Sequence, residues 1–229
     1  MNFKTKILVI DDEPQIRKLL KLSLEANEFE VITAENAKPG IQLAASIKPE
    51  IILLDLNLPD EDGLSALKKI REWSNSQIII LSVRSSESDK ISLLDAGADD
   101  YITKPFHTGE LLARIRVALR HQDSIPDNPI INVGAIEINL ASRTVKKLGS
   151  SINMTSTEYS ILKLLIQNKD KVLTHKQILE SIWGNQFSNE TQYLRVFIGQ
   201  IRKKIEDDFT KPKYLKTISG VGYIFSVEN

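Results

Sequence analysis

Four short apolar runs in the first half of the chain each end in residues that could do phosphate chemistry. Ile7 to Ile10 is followed by Asp11 and Asp12, Ile51 to Leu54 by Asp55, and Ile78 to Leu81 by Ser82. A weaker fourth run leads into Lys104-Pro105. An aspartate carboxylate can attack phosphorus and carry the phosphoryl group as an acyl phosphate. The charge on the phosphoryl oxygens then needs a counter-ion. Magnesium takes one or two carboxylates and keeps several waters, and Asp11 and Asp12 beside Asp55 offer those carboxylates. Lysine supplies a compact positive charge for a phosphate oxygen, and a serine hydroxyl supplies one further hydrogen bond. Singly, each has an ordinary explanation. Asp-Asp-Glu-Pro suits a helix start, Asp55 suits a turn, and Lys-Pro suits a strand end. Their order, each after an apolar run, points to a magnesium-assisted phosphoryl site on Asp55.

Such a site needs its strands to end together. The spacing predicts strands near 6–10, 29–33, 50–54, 77–81 and 99–102, and helices near 14–26, 37–47, 64–73, 87–96 and 108–121. The apolar runs do not alternate, as expected for strands covered on both faces. Ile16, Leu19, Leu20 and Leu24 form a helical stripe, and Pro14 suits a first helical turn. Regular strand-helix alternation predicts a doubly wound α/β domain with a parallel sheet. In such folds ligands sit at the carboxyl ends of the strands.

Residues 122–129, with two prolines among polar residues, read as a linker. Beyond them come short strand signals and then Thr155-x-x-Glu158, the form of a capping box, opening a helix. A second helix follows Thr174 to about Trp183, a third runs from about Glu190 to Glu206, and a hairpin turns around Gly220 and Gly222. This is a winged helix-turn-helix pattern. The third helix has an apolar stripe at Leu194, Phe197, Ile198, Ile201 and Ile205. Its other face offers Gln192, Arg195, Gly199, Arg202 and Lys203. Arginine and glutamine are side chains that read base edges in the major groove. Thr217, Ser219 and Tyr223 in the hairpin, with Lys176, Lys203 and Lys216, are the expected backbone contacts.

Bulk properties agree. The 229 residues contain no cysteine, which excludes disulfides and thiolate metal sites and fits a cytoplasmic location. Apolar runs of about four residues fall far short of the roughly 20 that span a bilayer, and there is no signal-peptide core, so no membrane association is expected. A net charge of zero hides an asymmetry. Residues 1–122 carry 16 basic and 19 acidic residues, a net of −3, and residues 123–229 carry 14 and 11, a net of +3. A basic half suits a polyanionic partner.

VIDDE, LLDLNLPDEDGL, LSVRSS, DAGADDYITKPF and GELLARI resemble the receiver domain of bacterial response regulators. MTSTEYSILKLLIQNKDKVLTHKQILESIWG, IRKKIE and ISGVGYIF resemble the output domain of the OmpR/PhoB type. Within that type, LSVRSSESDKI and YLRVFIGQIRKKIE are similar to regulators of high-affinity potassium uptake. The resemblance implies a receiver over 1–121 with sheet order 2-1-3-4-5 and a winged-helix DNA-binding domain over 130–229. It implies that a sensor histidine kinase phosphorylates Asp55, with Mg2+ held by Asp11, Asp12, Asp55 and the backbone carbonyl of Asn57. Lys104 and Ser82 would bond the phosphoryl group, and Tyr101 would turn inward with Ser82. Phosphorylation would then pair two copies through the fourth helix, fifth strand and fifth helix. Lys90 would meet Glu110, and Asp99 would meet Arg114, each across the subunits. Asp100 would take an arginine one turn further on, where this chain has His121 beside Arg120. The other implied partners are DNA with tandem half-sites and RNA polymerase. Val83 stands where the family has a small residue and is expected to narrow the pocket mouth. Two rival readings stay open: a DNA-binding regulator that ignores phosphorylation, and a magnesium-dependent aspartyl-phosphate phosphotransferase. Asn57 stands where the latter carries its second aspartate.

Overall fold

The structure is a computed structural model that describes residues 4–83, 86–120, 129–184, 187 and 190–226, with the side chain of Arg120 outside that set. The chain divides into two compact units, Met1–Arg116 and Val117–Asn229. Of the expected linker only Pro129 is among the described residues. No helix among the described residues is long and apolar enough to cross a membrane.

The first unit alternates strand and helix throughout: β1 Lys6–Ile10, α1 Pro14–Glu25, β2 Glu30–Ala34, α2 Ala37–Ile47, β3 Ile51–Asp55, α3 Gly63–Arg71, β4 Gln77–Ser82, α4 Glu87–Asp95, β5 Asp100–Thr103 and α5 Thr108–Arg120. The strands form one parallel sheet in the order β2-β1-β3-β4-β5, as expected. Every residue of β3 and β4 is buried. These strands carry apolar runs rather than alternation because helices cover both of their faces. With right-handed crossovers, the reversal of direction after β2 puts α1 on one face and α2 to α4 on the other. Leu20 and Leu24 of the α1 stripe are buried, but Leu19 is largely exposed. It falls beyond the edge of the stripe that meets the sheet.

The register aligns the strand ends. Ile10 lies beside Leu54, Asp55 beside Leu81, and Ser82 beside Thr103. The residues that follow Ile10 and Thr103, Asp11 and Lys104, therefore emerge at the edge where Asp55 sits.

The second unit opens with a four-stranded antiparallel sheet, β6 Ile130–Val133, β7 Ile136–Asn139, β8 Thr144–Lys147 and β9 Ser150–Ile152, paired in sequence order. Then follow α6 Ser156–Gln167, β10 Val172–Thr174, α7 His175–Trp183, α8 Thr191–Ile205, β11 Leu215–Ile218 and β12 Gly222–Phe225. The Thr155/Glu158 capping box is formed, and Thr174 and Gln177 make a second one that starts α7. The apolar stripe of α8 is buried, with Phe197 packed against Trp183 at 5.3 Å between ring centroids. The hairpin β11-β12 gains a third strand, β10, with Leu173 opposite Tyr223. That three-residue strand is too short to leave a periodic signal in the sequence. Gly222 is required at this join, because a Cβ there would sit 1.9 Å from the Leu173 carbonyl oxygen.

Candidate functional site

The carboxyl edge of the parallel sheet gathers the expected pocket. Asp11, Asp55 and Ser82 are buried, while Asp12 lies exposed at the rim. One carboxylate oxygen from each of Asp11, Asp12 and Asp55 falls within a group spanning no more than 4.8 Å. The Lys104 ammonium donates to Asp11 Oδ2 and Asp55 Oδ2, each at 2.8 Å, and to Glu13 Oε1 at 3.1 Å. The second oxygens of the two buried aspartates face the loops. Asp11 Oδ1 accepts the Glu13 N–H at 2.9 Å, and Asp55 Oδ1 accepts the Asn57 N–H at 3.3 Å. Ser82 is tied to the lysine through the main chain, its carbonyl accepting the Lys104 N–H at 2.7 Å. Val83, the next residue, is exposed.

Two neighbours hold this edge in shape. The Arg17 guanidinium, one turn into α1, donates to the carbonyls of Asp11 and Asp12 at 2.7 and 2.8 Å and so fixes the loop that carries both carboxylates. Gly63 opens α3 against the strand end. A Cβ there would lie 2.4 Å from the Asp55 carbonyl oxygen and 2.5 Å from Leu56 Cα, so no larger residue fits.

The charges do not balance. Burial works to lower the Lys104 pKa, but hydrogen bonds and charge from Asp11 and Asp55 overcome it and hold it well above the ordinary value. Burial pushes the Asp11 carboxyl up even with Lys104 opposing it, and the charge of Asp55 adds to the rise. Burial dominates for Asp11, whereas the paired carboxylates dominate for Lys104, and one ammonium serves three carboxylates. Three oxygen donors at this spacing and that deficit fit a hard divalent cation, which prefers oxygen ligands. Taking such charges out of water costs about several kcal/mol each, which makes this cluster weak evidence for a stabilising role.

In the second unit, α8 presents Gln192, Arg195 and Lys203 to solvent. Arg195 Nη1 donates to Gln192 Oε1 at 3.3 Å. Nothing lies within 4 Å of where a Cβ on Gly199 would be, so this part of the helix is open to close approach. Thr217 and Ser219 are exposed on the hairpin. Two expected contacts need correction. Tyr223 is buried, edge-on to His175 at 5.4 Å, because β12 is the middle strand of its sheet. Arg202 is half-buried and donates to the Leu215 carbonyl at 2.9 and 2.7 Å and to Thr217 Oγ1 at 2.7 Å. It braces α8 to β11 rather than reaching out freely.

Residues 7–116 match the family described as response regulator receiver domain, and residues 149–225 match transcriptional regulatory protein, C terminal. The chain is an OmpR/PhoB-type response regulator. It is 42% identical to the transcriptional regulatory protein KdpE of Mycobacterium tuberculosis over 223 residues, covering 96% of this chain and 99% of that one. It is 41% identical to the KDP operon transcriptional regulatory protein KdpE of Escherichia coli, with the same coverage. Among solved structures, a RitR cysteine-to-aspartate mutant superposes with a TM-score of 0.81 at 28% identity, over 98% of this chain and 100% of that one. The regulator thus joins a receiver to a DNA-binding output domain.

On the regulator's fourth-helix and fifth-strand face, the charged residues are paired within the chain. Arg114 binds both oxygens of Asp100, each at 2.9 Å, and also Glu110 Oε1 at 2.7 Å. Asp99 is instead buried against Arg71 of α3 and accepts the Ile78 N–H at 2.9 Å. Side chains alternate along a strand, so neighbouring aspartates at the start of β5 go to helices on opposite faces. Within one chain Arg114 is thus engaged by Asp100, and Asp99 by Arg71. His121 lies outside the described residues. Tyr101 is buried, its hydroxyl 3.2 Å from Thr103 Oγ1 and its ring 4.7 Å from the Lys90 ammonium.

Sequence reasoning missed Glu13, Arg17, Arg71 and Asp60. Asp60 accepts the N–H groups of Ala37 and Lys38 at 2.8 and 3.0 Å and caps α2 from the loop after β3. Only the acidic run at 60–62 hinted at it.

Proposed function

We propose that this regulator is switched by transfer of a phosphoryl group from a sensor histidine kinase to Asp55. The observation that carries the reading is the buried Asp55 carboxylate, bonded to Lys104 and grouped with Asp11 and Asp12 at the sheet edge. Asp11, Asp12, Asp55 and the carbonyl of Asn57 would hold Mg2+, which when bound offsets charge on the phosphoryl oxygens. Attack by an Asp55 oxygen on phosphorus breaks the bond to the kinase histidine. The Lys104 ammonium then holds one phosphoryl oxygen, and the Ser82 hydroxyl turns to donate to another. Tyr101, already buried beside β4, keeps the space that Ser82 vacates closed.

Phosphorylation adds charge and acceptor oxygens in a nearly dry cleft and so biases a two-state element. In this reading the element is the face of α4, β5 and α5, with Lys90, Asp100, Glu110 and Arg114 as its charged residues, and it pairs two copies. Two winged helices then sit on tandem half-sites about one helical turn apart. Pairing raises the effective concentration of the second reading head, so affinity rises without new DNA contacts. Gln192, Arg195 and Lys203 face DNA alongside Gly199, with Thr217 at the wing and RNA polymerase as the final partner. The receiver would occupy 1–121, the linker 122–129 and the output domain 130–229, all in the cytoplasm. Likeness to two KdpE proteins supports a potassium-transport operon as target.

Asn57 where a phosphotransferase would need a second aspartate argues against turnover of small phosphate esters. The direct test labels wild type and Asp55→Asn with a small phosphodonor and Mg2+. Wild type is expected to be labelled and to bind tandem sites more tightly. Equal labelling of Asp55→Asn would overturn the assignment.

A further inference from the structure

We propose that Glu13 is the holding point of the Lys104 ammonium, keeping that charge at the pocket when a divalent cation takes the oxygens of Asp11 and Asp55. The inference rests on the reading of the pocket given above. An ammonium has three N–H donors, and those of Lys104 meet three different carboxylates. Two of them, Asp11 and Asp55, belong to the group that can hold a metal, and Glu13 does not. Each buried aspartate has one oxygen bonded to Lys104 and the other to a loop N–H. Each carboxylate oxygen keeps a further lone pair, but a cation that draws an oxygen from each competes in charge with the ammonium already bonded to both. The loop contacts are made by backbone fixed in place, with Arg17 clamping the carbonyls of Asp11 and Asp12. The lysine is the mobile competitor, a compact charge on a flexible stem.

Lys104 therefore stands in for the metal. When it yields, Glu13 is the one partner it keeps. The Glu13 side chain is half exposed, so its carboxylate sits at the mouth of the cleft while the lysine side chain is largely buried. Held there, Lys104 turns about Glu13 to meet an incoming phosphoryl oxygen instead of swinging into solvent. Glu13 is thus a positioning residue that lowers the cost of cation entry through Lys104 rather than by touching the cation.

The test is a double-mutant cycle read by Mn2+ binding to the full chain, with free Mn2+ measured by electron paramagnetic resonance and no phosphodonor present. Lys104→Met removes the competitor and is expected to tighten Mn2+ binding about tenfold or more. Glu13→Gln is expected to weaken it about 3- to 10-fold, the size of one coupled contact. In the Lys104→Met background, Glu13→Gln should change it by less than about twofold. Equal weakening in both backgrounds would mean that Glu13 acts on the cation by charge alone and would overturn the proposal. So would an unchanged affinity in Glu13→Gln, or weaker binding in Lys104→Met. Thermal unfolding of each variant guards against loss of the fold, and Lys104→Gln replaces Lys104→Met if the latter unfolds. Absence of Mn2+ binding by wild type would instead defeat the pocket reading itself.

Discussion

Replacing Arg71 with methionine isolates the buried pair that tertiary packing set up at the far end of the receiver sheet. The Arg71 and Asp99 side chains are only 9% and 1% exposed. The guanidinium also donates to the carbonyls of Gly97 and Ser76, each at 2.6 Å, and of Ser74 at 3.2 Å. It thereby ties the end of α3 to the starts of β4 and β5. Methionine keeps much of the stem's volume and removes the charge and every donor. Breaking a buried ion pair from one side costs about 3–5 kcal/mol. That is a fifth or more of a domain stability of about 5–15 kcal/mol. For a unit of this size the unfolding midpoint should fall by about 15 °C. Calorimetry on the full chain reads this as a shift of the receiver transition, with the output-domain transition as an unmoved internal control. Adding Asp99→Asn removes the stranded charge and should recover at least half of the loss. A Arg71→Met shift worth less than about 1 kcal/mol would refute the reasoning, as would a failure of Asp99→Asn to recover any of it.

Two further outcomes follow from the same contacts. The N–H groups of Lys38 and Ala37 hold the Asp60 carboxyl below its ordinary value against the opposing effect of desolvation. That stabilisation is complete above about pH 4 and is lost as pH falls through the lower folded-state value. Asp60→Ala should thus be less stable than wild type to urea at pH 7, and the two should converge in acid. On DNA, Arg195→Ala should weaken specific binding by about 1–3 kcal/mol. Tyr223→Phe should leave binding within about twofold, because the Tyr223 side chain is buried. Fluorescence anisotropy on a tandem site would separate them, and an equal loss in both variants would contradict the placement of Tyr223.

Local pattern made much of the architecture legible. Apolar runs without alternation marked β1, β3 and β4, and the structure buries them on both faces. Thr155 and Glu158 announced the start of α6, and the stripe from Leu194 to Ile205 announced the buried face of α8. These signals survive in a string because each depends on residues within a turn or two of one another. The gathering of Asp11, Asp55, Ser82 and Lys104 was legible too, since a parallel sheet brings successive strand ends to one edge.

The partner of each charge was decided only in three dimensions. Lys104 meets carboxylates 49, 91 and 93 residues away, and Asp60 caps a helix that begins 23 residues earlier. Neighbouring Asp99 and Asp100 look equivalent in a row of letters, yet strand alternation sends one under Arg71 and the other to Arg114. Arg202 and Tyr223 carry side chains suited to nucleic acid, but a third strand beside the hairpin buries the tyrosine, and the Leu215 carbonyl and Thr217 hydroxyl take the arginine. Periodicity reports which face of an element turns inward; which side chain waits on the other side depends on how distant elements pack.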